Sequence, residues 1–242
     1  MLPNLAVSGP GQLKNSLHSV ILNSLKIKKF MQHLPNLFKL LQLTRTQPQY
    51  GYTIAGLYKD ELSDLAQHHY LVTFIAWQLA RQSNLAGAKL DMEKVMAIAL
   101  THDLGELFGS DISRQYGRAN PKARTAAKAF EAVNHKFLEQ FFGPDQKYIK
   151  KIFAEVLEDH SDEAVIAKIA DYVEVVQYLL YLKRFKKFDL KVIREHTDRI
   201  IKRIKNPIVK NESSKFLQIW FTALADPKYQ TLSIGELINN EK

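Results

Sequence analysis

The sequence predicts an all-α protein, with one helical bundle and further helices at both ends. Glycine and proline are scarce, at 10 and 8 of 242 residues, so few strong breaks interrupt the chain. Apolar residues recur at spacings of three and four positions nearly everywhere, which is the period of an amphipathic helix, whereas strict alternation is rare. A chain of this length can bury one large core, so we expect a single structural domain.

Three segments are expected within this domain. Residues 1–44 form an N-terminal helical extension whose first helix begins near Leu13. Residues 45–185 form the core bundle, and residues 186–242 add C-terminal helices that pack on it. A proline and two glycines between positions 44 and 64 indicate a long ordered loop at the start of the core. The remaining helices are expected at roughly 64–82, 91–108, 121–142, 148–160, 161–183, 189–205 and 213–225.

Capping residues mark where the first two core helices begin. Ser63 or Asp64 precedes the first of them, and Asp91 precedes the second. Side chains of this kind accept hydrogen bonds from the unpaired N–H groups of a first helical turn. We expect residues 91–108 to form one uninterrupted helix that stops at Gly109.

The composition excludes several classes of protein. The chain has no cysteine, which excludes disulfides, thiolate metal sites and cysteine nucleophiles and makes a reducing cytoplasm the expected compartment. Any metal ion must therefore bind to nitrogen and oxygen atoms. No segment reaches ~18 uncharged apolar residues, and the first residues lack the pattern of a secretory leader, so we expect no membrane association.

The net charge of +9 is unevenly distributed along the chain. Residues 1–59 hold seven Lys or Arg and no acid, and residues 183–210 hold eleven Lys or Arg against three acids. The rest of the chain is therefore net acidic, as a cation-binding core would be. We interpret the basic segment at 183–210 as the solvated face of an amphipathic helix, with nucleic-acid binding as the alternative.

The stretch ALTHDLGELFGSDIS at 99–113 is the most informative motif. On the predicted helix, His102, Asp103 and Glu106 point into about one quadrant, so three hydrogen-bonding or ligating groups converge. A histidine beside an aspartate is common on protein surfaces. The motif becomes specific because further polar residues interrupt apolar faces elsewhere in the chain.

Two other helices carry such isolated polar residues. His68 shares a stripe with Val72 and Leu79, and Asp171 shares one with Val175. Burying an unpaired carboxylate is costly, and buried charge is tolerated when it is paired or coordinates a metal. Two imidazoles and two carboxylates from three helices can bind one first-row divalent ion.

The order of these residues resembles a known signature. His68, then His102 and Asp103, then Asp171 are similar to the H…HD…D pattern of the HD-domain phosphohydrolases, a helical metal-dependent superfamily. The segment HDLGELFGSD is similar to the corresponding segment of the bacterial 5′-deoxynucleotidase branch, and IAKIAD and FEAVN resemble two of its other helices. The resemblance covers roughly residues 40–185.

This resemblance implies roles for seven residues. Glu106 matches the catalytic glutamate, Asp111 matches an aspartate that contacts the substrate, and Arg45 matches an arginine that lies against the phosphate. The metal ligands that the resemblance implies are His68, His102, Asp103 and Asp171.

The sequence departs from the branch at three points. Gln67 and Ser110 stand where the branch usually has Glu and Gly, and the loop from Arg45 to His68 is longer than in the short bacterial enzymes. That loop would border the sugar and base. The expected metal site is unaffected, but the nucleotide preference stays open.

The predicted function is that of a metal-dependent phosphomonoesterase acting on nucleoside 5′-monophosphates. A bound divalent cation lowers the pKa of its water from about 15.7 toward ~7 and polarises a phosphoryl oxygen. Glu106 can then take a proton from the attacking water or give one to the leaving 5′ oxygen. In addition to Arg45, Lys168 is a second candidate to offset the negative charge of the phosphate. Two imidazole ligands favour Mn, Co, Ni, Fe or Zn over Mg.

Two alternatives remain at this point. The same metal site could act on a phosphodiester, a nucleoside polyphosphate or another small phosphorylated metabolite. A protein of a different class would bind nucleic acid through its basic C-terminal helix and keep a vestigial metal site. The presence of Glu106 beside four expected ligands favours an enzyme, and the resemblance implies a homodimer, since small enzymes of this branch often dimerise.

Overall fold

The computed structural model describes residues 31–109, 111–186, 189–231 and 233–240. These parts of the chain are predominantly helical and contain no β-strand, which confirms the predicted all-α class. The first predicted helix, beginning near Leu13, lies outside the described residues. The α-helices are α1 (Leu34–Leu41), α2 (Leu65–Leu85), α3 (Met92–Thr101), α4 (Arg114–Ala119), α5 (Pro121–Glu139), α6 (Gln146–Glu158), α7 (Asp162–Tyr181), α8 (Asp189–Ile201), α9 (Pro207–Ala225), α10 (Pro227–Thr231) and α11 (Ile234–Asn240).

Helices α2, α3 and α7 pack against one another and form the centre of the bundle. Their facing sides carry aliphatic side chains that are almost fully buried, among them Val72 on α2, Ile98 on α3 and Ile169 on α7. Burying a side chain of this size stabilises the fold by about 1.5–3 kcal/mol. The three helices that carry or precede the expected metal ligands are therefore fixed by the main core. The proposed division of the domain at residues 45 and 185 stays a prediction.

Side-chain caps fix the first turns of these helices. Asp64, Asp91 and Ser161 each accept a hydrogen bond from a backbone N–H in the turn that follows. A cap of this kind contributes about 1 kcal/mol. The predicted starts of α2 and α3 are confirmed.

The helix expected over 91–108 is shorter than predicted. α3 ends directly before His102, Asp103 has non-helical angles (φ −108°, ψ 14°), and a 3-10 turn covers Leu104–Glu106. The Nδ1–H of His102 donates to the carbonyl oxygen of Ala99, 2.8 Å away, and so satisfies a carbonyl of the last helical turn. The prediction that three polar side chains share one quadrant of a helix is wrong, because the chain turns between them.

Two further differences lie outside the centre. The helix expected over 121–142 ends at Glu139, and a 3-10 turn with a kink at Gly143 (φ 53°) follows it. Helix α4, which the sequence analysis missed, spans six residues after its N-cap Ser113. A helix of this length is too short to display an apolar repeat, so periodicity could not reveal it.

The loop between positions 42 and 64 is ordered, as predicted. The backbone N–H of Gln49 donates to the carbonyl of Ser63, which ties the two sides of the loop together. Gly56 ends a 3-10 turn in the left-handed region, at φ 88°. Tyr52 is buried, so the loop packs onto the bundle instead of projecting from it.

The basic C-terminal segment includes α8. Ile193, Ile200 and Ile204 are buried, as expected for the core-facing side of an amphipathic helix. The arginines and lysines that the structure describes in this segment remain exposed. None of the helices in the described ranges is long and apolar enough to cross a membrane.

Candidate active site

The central helices bring four of the predicted site residues to one point. His68 projects from α2 and Asp171 from α7, while His102 and Asp103 directly follow α3. The Nε2 atoms of His68 and His102 are 3.0 Å apart. Asp103 Oδ2 lies 3.5 and 3.3 Å from these two nitrogens, and Asp171 Oδ1 lies 3.6 and 3.9 Å from them. We call these four residues the histidine–aspartate cluster.

Hydrogen bonds on the far side of each imidazole decide which nitrogen faces the cluster. Nδ1 of His68 is 2.6 Å from Oε2 of Glu174, and Nδ1 of His102 is 2.8 Å from the carbonyl oxygen of Ala99. Both partners accept hydrogen bonds, so each Nδ1 carries a hydrogen and a neutral ring presents a lone pair on Nε2. Two lone pairs 3.0 Å apart would repel each other, so the two nitrogens need either a proton or a metal cation between them.

The charges of the cluster also favour a cation. Burial lowers the pKa of His68, but hydrogen bonds to Asp103, Asp171 and Glu174 outweigh it and hold that pKa well above its usual value. Burial raises the pKa of Asp103, but the charges and hydrogen bonds of His102 and His68 outweigh it and hold that pKa well below its usual range. The carboxylate is therefore ionised, and a metal ion can replace the proton on the neighbouring imidazole.

The donor set fits a divalent metal ion. One ligand atom each from His68, His102 and Asp103 lies within 4.8 Å of the other two, so this group could hold an ion. Asp171 adds a second carboxylate on the same side of both rings. Imidazole nitrogen with carboxylate oxygen suits first-row divalent ions.

Glu174 is a site residue that the sequence analysis missed. Its side chain is buried at 2% exposure and also accepts a hydrogen bond from the Tyr52 hydroxyl, at 3.3 Å. Burial and the Glu174 charge raise the pKa of Tyr52 well above its usual value, so the phenol remains a donor. A sequence signal was present, because Glu174 follows Asp171 by three positions and shares its helix face.

A cavity of about 410 Å³ opens beside the cluster. Glu106 and Lys168 line it together with three members of the cluster, His102, Asp103 and Asp171. Lys168 Nζ lies 3.4 Å from Asp171 Oδ2. The volume lies within the range of small-molecule sites, so a compact ligand can reach the cluster.

Glu106 ends the 3-10 turn that follows Asp103 and is half-buried in the wall of this cavity. Burial raises the pKa of Glu106 well above its usual value, and the carboxylates of Asp103, Asp111 and Glu131 raise it further. A carboxyl group with a raised pKa keeps its proton to a higher pH than an ordinary glutamate and can donate that proton to a substrate oxygen.

The turn that carries Glu106 packs closely on α5. The Asn134 side-chain amide donates to the carbonyl oxygen of Gly105, at 2.7 Å. A Cβ atom on Gly105 would lie 2.5 Å from Glu131 Cγ and 2.7 Å from His135 Nε2. A side chain at this position would force Glu131 and His135 to move, so α5 packs directly on the backbone next to Glu106.

Arg45 is not among the residues that line the cavity. It is exposed on the 3-10 turn after α1, and its Nε donates to Gln42 Oε1 at 3.0 Å. The loop residue that reaches the cluster is Gln49, whose Nε2 lies 3.4 Å from Asp103 Oδ2. The structure thus does not bring the predicted phosphate-binding arginine to the site.

Asp111 is also absent from the cavity lining. Its carboxylate accepts a hydrogen bond from the backbone N–H of Gly51. Burial raises the pKa of Asp111 to about 6, although the Gly51 hydrogen bond opposes the shift. A Cβ atom on Gly51 would lie 2.8 Å from Asp111 Oδ1, so only glycine allows this approach. In the structure Asp111 fastens the loop.

An all-α bundle that gathers two histidines and two aspartates in the order H…HD…D defines an HD-domain protein. The family model described as 5′-deoxynucleotidase YfbR-like matches residues 54–220. The chain belongs to this family, which is one of hydrolases whose wider superfamily binds divalent metals.

One of two similar solved structures supports the fold. The PH0347 protein from Pyrococcus horikoshii OT3 is 23% identical to this chain, with a TM-score of 0.55, over 78% of this chain and 96% of that one. A conserved hypothetical protein from Pyrococcus furiosus is 24% identical, with a TM-score of 0.49, over 69% of this chain and 98% of that one. No curated protein matches the chain.

Proposed function

We propose that the protein is a divalent-metal-dependent phosphomonoesterase that releases inorganic phosphate from nucleoside 5′-monophosphates, deoxynucleotides included. One observation carries this proposal: two imidazole Nε2 atoms lie 3.0 Å apart beside two carboxylates, next to a cavity that Glu106 also lines. Membership of the 5′-deoxynucleotidase YfbR-like family supports a nucleotide as the substrate.

The proposed metal ligands are His68, His102, Asp103 and Asp171. When bound, a divalent ion would polarise a phosphoryl oxygen and lower the pKa of a coordinated water. Two imidazoles favour Mn, Co, Ni, Fe or Zn over Mg. Glu174 and the carbonyl of Ala99 hold the two rings with Nε2 toward the ion.

The remaining polar residues handle protons and phosphate charge. Protonated Glu106 gives its proton to the leaving 5′ oxygen, which departs as a neutral hydroxyl. Lys168 offsets negative charge on the phosphate, and its ammonium is already held beside the cluster by Asp171. We propose a cytoplasmic location, since a chain without cysteine suits a reducing compartment.

Nucleic-acid binding by the basic C-terminal segment is not favoured. The apolar side of α8 lies in the core, and its Arg199 contributes to the wall of the cavity. The implied homodimer stays a prediction.

Metal dependence and substrate class can be tested together. The purified protein is analysed for bound metals, stripped with a chelator, reloaded with Mn, Co, Ni or Mg, and screened for phosphate release from nucleoside 5′-monophosphates. We expect activity to disappear on stripping and to return most strongly with the transition metals.

Asp103→Asn keeps the shape of one proposed ligand and removes its charge. We expect this variant to lose bound metal and activity together, whereas Asp60→Asn, on the exposed loop, keeps both. A metal-loaded protein that releases phosphate from no nucleotide contradicts the proposed function.

A further inference from the structure

The wall of the cavity beyond the cluster is basic. It is lined by cationic side chains from four helices: Arg118 on α4, Arg124 and Lys128 on α5, Lys168 on α7, and Arg199 on α8, with Arg203 just after α8. A single transferred phosphate at the metal centre has Lys168 beside it. No ion pair in the described parts of the chain joins the other cations to the cluster.

Several of these cations have no carboxylate partner. Arg203 pairs with Asp159 at 2.8 Å. In contrast, Arg124, Lys128 and Arg199 form no ion pair with a carboxylate within the described parts of the chain. Unpaired cations from α5 and α8 that line one cavity repel each other, and an anionic ligand removes that repulsion.

The acids of the same wall do not neutralise it fully. Burial raises the pKa of Glu131 to about 7, and Asp103 adds to the shift, so near neutral pH this carboxyl group carries only part of a negative charge. The pKa of Glu106 is raised as well, first by burial. Apart from Asp159, which pairs with Arg203, the negative charge in the cavity therefore lies mostly with Asp103 and Asp171, in the cluster.

The wall offers little to a nucleobase. Among the described residues that line the cavity, the only aromatic rings are the imidazoles of His102 and His196. Aromatic stacking platforms, which recognise bases without regard to charge, are thus missing from this wall. A guanidinium group instead donates two parallel hydrogen bonds to the oxygens of one phosphate.

We propose that the cavity binds substrates with a second phosphate, held by Arg124, Lys128 and Arg199 while the first phosphate is hydrolysed at the cluster. This inference rests on the proposed function and adds to it a preference for nucleotides that carry a second phosphate. The second phosphate belongs either to a 5′-diphosphate, whose cleaved bond is an anhydride, or to a 3′,5′-bisphosphate, whose cleaved bond is an ester. Both present a second phosphate to the same cations.

The reaction stays a simple hydrolysis. One water is consumed: its oxygen forms a bond to the transferred phosphorus, and the bond from that phosphorus to the leaving oxygen breaks. With a 3′,5′-bisphosphate, Glu106 protonates the leaving 5′ oxygen. With a 5′-diphosphate, the α-phosphate leaves as an anion that the basic wall stabilises. The products are inorganic phosphate and a nucleotide with one phosphate fewer.

The test compares three substrates of one base: deoxyadenosine 5′-monophosphate, 5′-diphosphate and 3′,5′-bisphosphate, each with the Mn-loaded full chain. We expect kcat/KM for at least one two-phosphate substrate to exceed that for the monophosphate by about tenfold or more, the discrimination that one charge-assisted contact gives. The better of the two identifies the source of the second phosphate.

Charge reversal locates the effect. In Arg124→Glu the ratio of the two-phosphate to the monophosphate kcat/KM should fall toward one. The matched control is Lys122→Glu, on the same helix but outside the cavity lining, which should keep the ratio of the parent protein. A ratio near one in the parent protein, or an equal drop in both variants, overturns the inference and leaves the proposed function intact.

If no substrate is hydrolysed, the proposed function is contradicted. A binding measurement can still test the two-phosphate wall in that case. Calorimetry with inorganic pyrophosphate and inorganic phosphate then decides. Pyrophosphate binding about tenfold tighter than phosphate, and lost in Arg124→Glu, supports the two-phosphate wall. Equal affinities overturn it.

Discussion

The cluster and the basic wall line the same cavity but are built in opposite ways. At the cluster, His68 is fully buried and each imidazole has a fixed partner on its far side. On the wall, Arg124 and Lys128 are exposed and form no ion pair with a carboxylate among the described residues, although the charge of Lys128 acts on Glu131. Buried, fully bonded groups keep one geometry, whereas exposed cations can be exchanged with little loss of stability. In the proposed function, the buried cluster would therefore fix the reaction, and the exposed wall would set the preferred substrate.

The largest effect within this comparison is expected for Glu106→Gln. The variant keeps the side-chain shape and cannot donate a carboxyl proton, so kcat should fall by about 10²–10⁴-fold while bound metal is unchanged. Because burial raises the pKa of Glu106, the protonated form persists to a higher pH than in an ordinary glutamate and is lost as pH rises through that pKa. The kcat of the parent protein should fall on that alkaline side.

Kinetics across a pH series, with metal content measured in each sample, check this assignment. Glu158→Gln, which is exposed at the end of α6, serves as the control and should behave like the parent protein. Parental turnover by metal-loaded Glu106→Gln shows that the proton comes from elsewhere.

A smaller effect is expected for Glu174→Gln. Loss of the carboxylate 2.6 Å from His68 Nδ1 weakens the hold on the imidazole and lowers its basicity, so metal affinity should fall about 10- to 100-fold. Competition against a chelating dye measures the affinity, and thermal unfolding shows whether the variant is folded. Tyr52→Phe removes only the 3.3 Å hydrogen bond to the same carboxylate and should lose less affinity. Unchanged metal affinity in a folded Glu174→Gln contradicts the positioning role.

The smallest effect is expected for Arg45→Ala. The side chain is exposed, its Nε bonds only to Gln42 in the same turn, and it does not line the cavity. We expect kcat/KM to change by less than about twofold, the range of an ordinary surface substitution. Lys168→Ala, which removes a cation next to Asp171, is the comparison and should raise KM. A tenfold loss in Arg45→Ala is evidence that this turn moves onto the substrate.

Much of the centre was predictable because helical periodicity exposes polar residues on apolar faces. His68 and Asp171 interrupt such faces, so their burial could be inferred before their contacts were known. The direction of the chain after α3 could not be predicted. The His102 ring donates a hydrogen bond to the carbonyl of Ala99 at the end of α3, and the chain turns directly after it. The periodicity of apolar residues does not indicate where a side chain will end a helix in this way.

The contacts made by the loop and the wall escaped prediction for another reason. Gln49 reaches Asp103 from 54 positions away in the chain, and Arg124 and Arg199 meet at a cavity that only the packed helices create. Spacing along one helix carries no information on either arrangement. Resemblance to a family placed Arg45 at the phosphate, whereas here an exposed turn carries it.

The loop between positions 42 and 64 touches the centre at three successive points. The side chain of Gln49 contacts Asp103, and the backbone N–H of Gly51 donates to Asp111. The Tyr52 hydroxyl donates to Glu174, which also accepts a hydrogen bond from His68. Loosening this segment would admit bulk water to the imidazoles and raise the local dielectric, and every charge interaction around them would weaken at once. The loop thus excludes bulk water from the histidine–aspartate cluster. The strength of the charge interactions in the cluster therefore depends on a stretch of chain that supplies none of the proposed ligands.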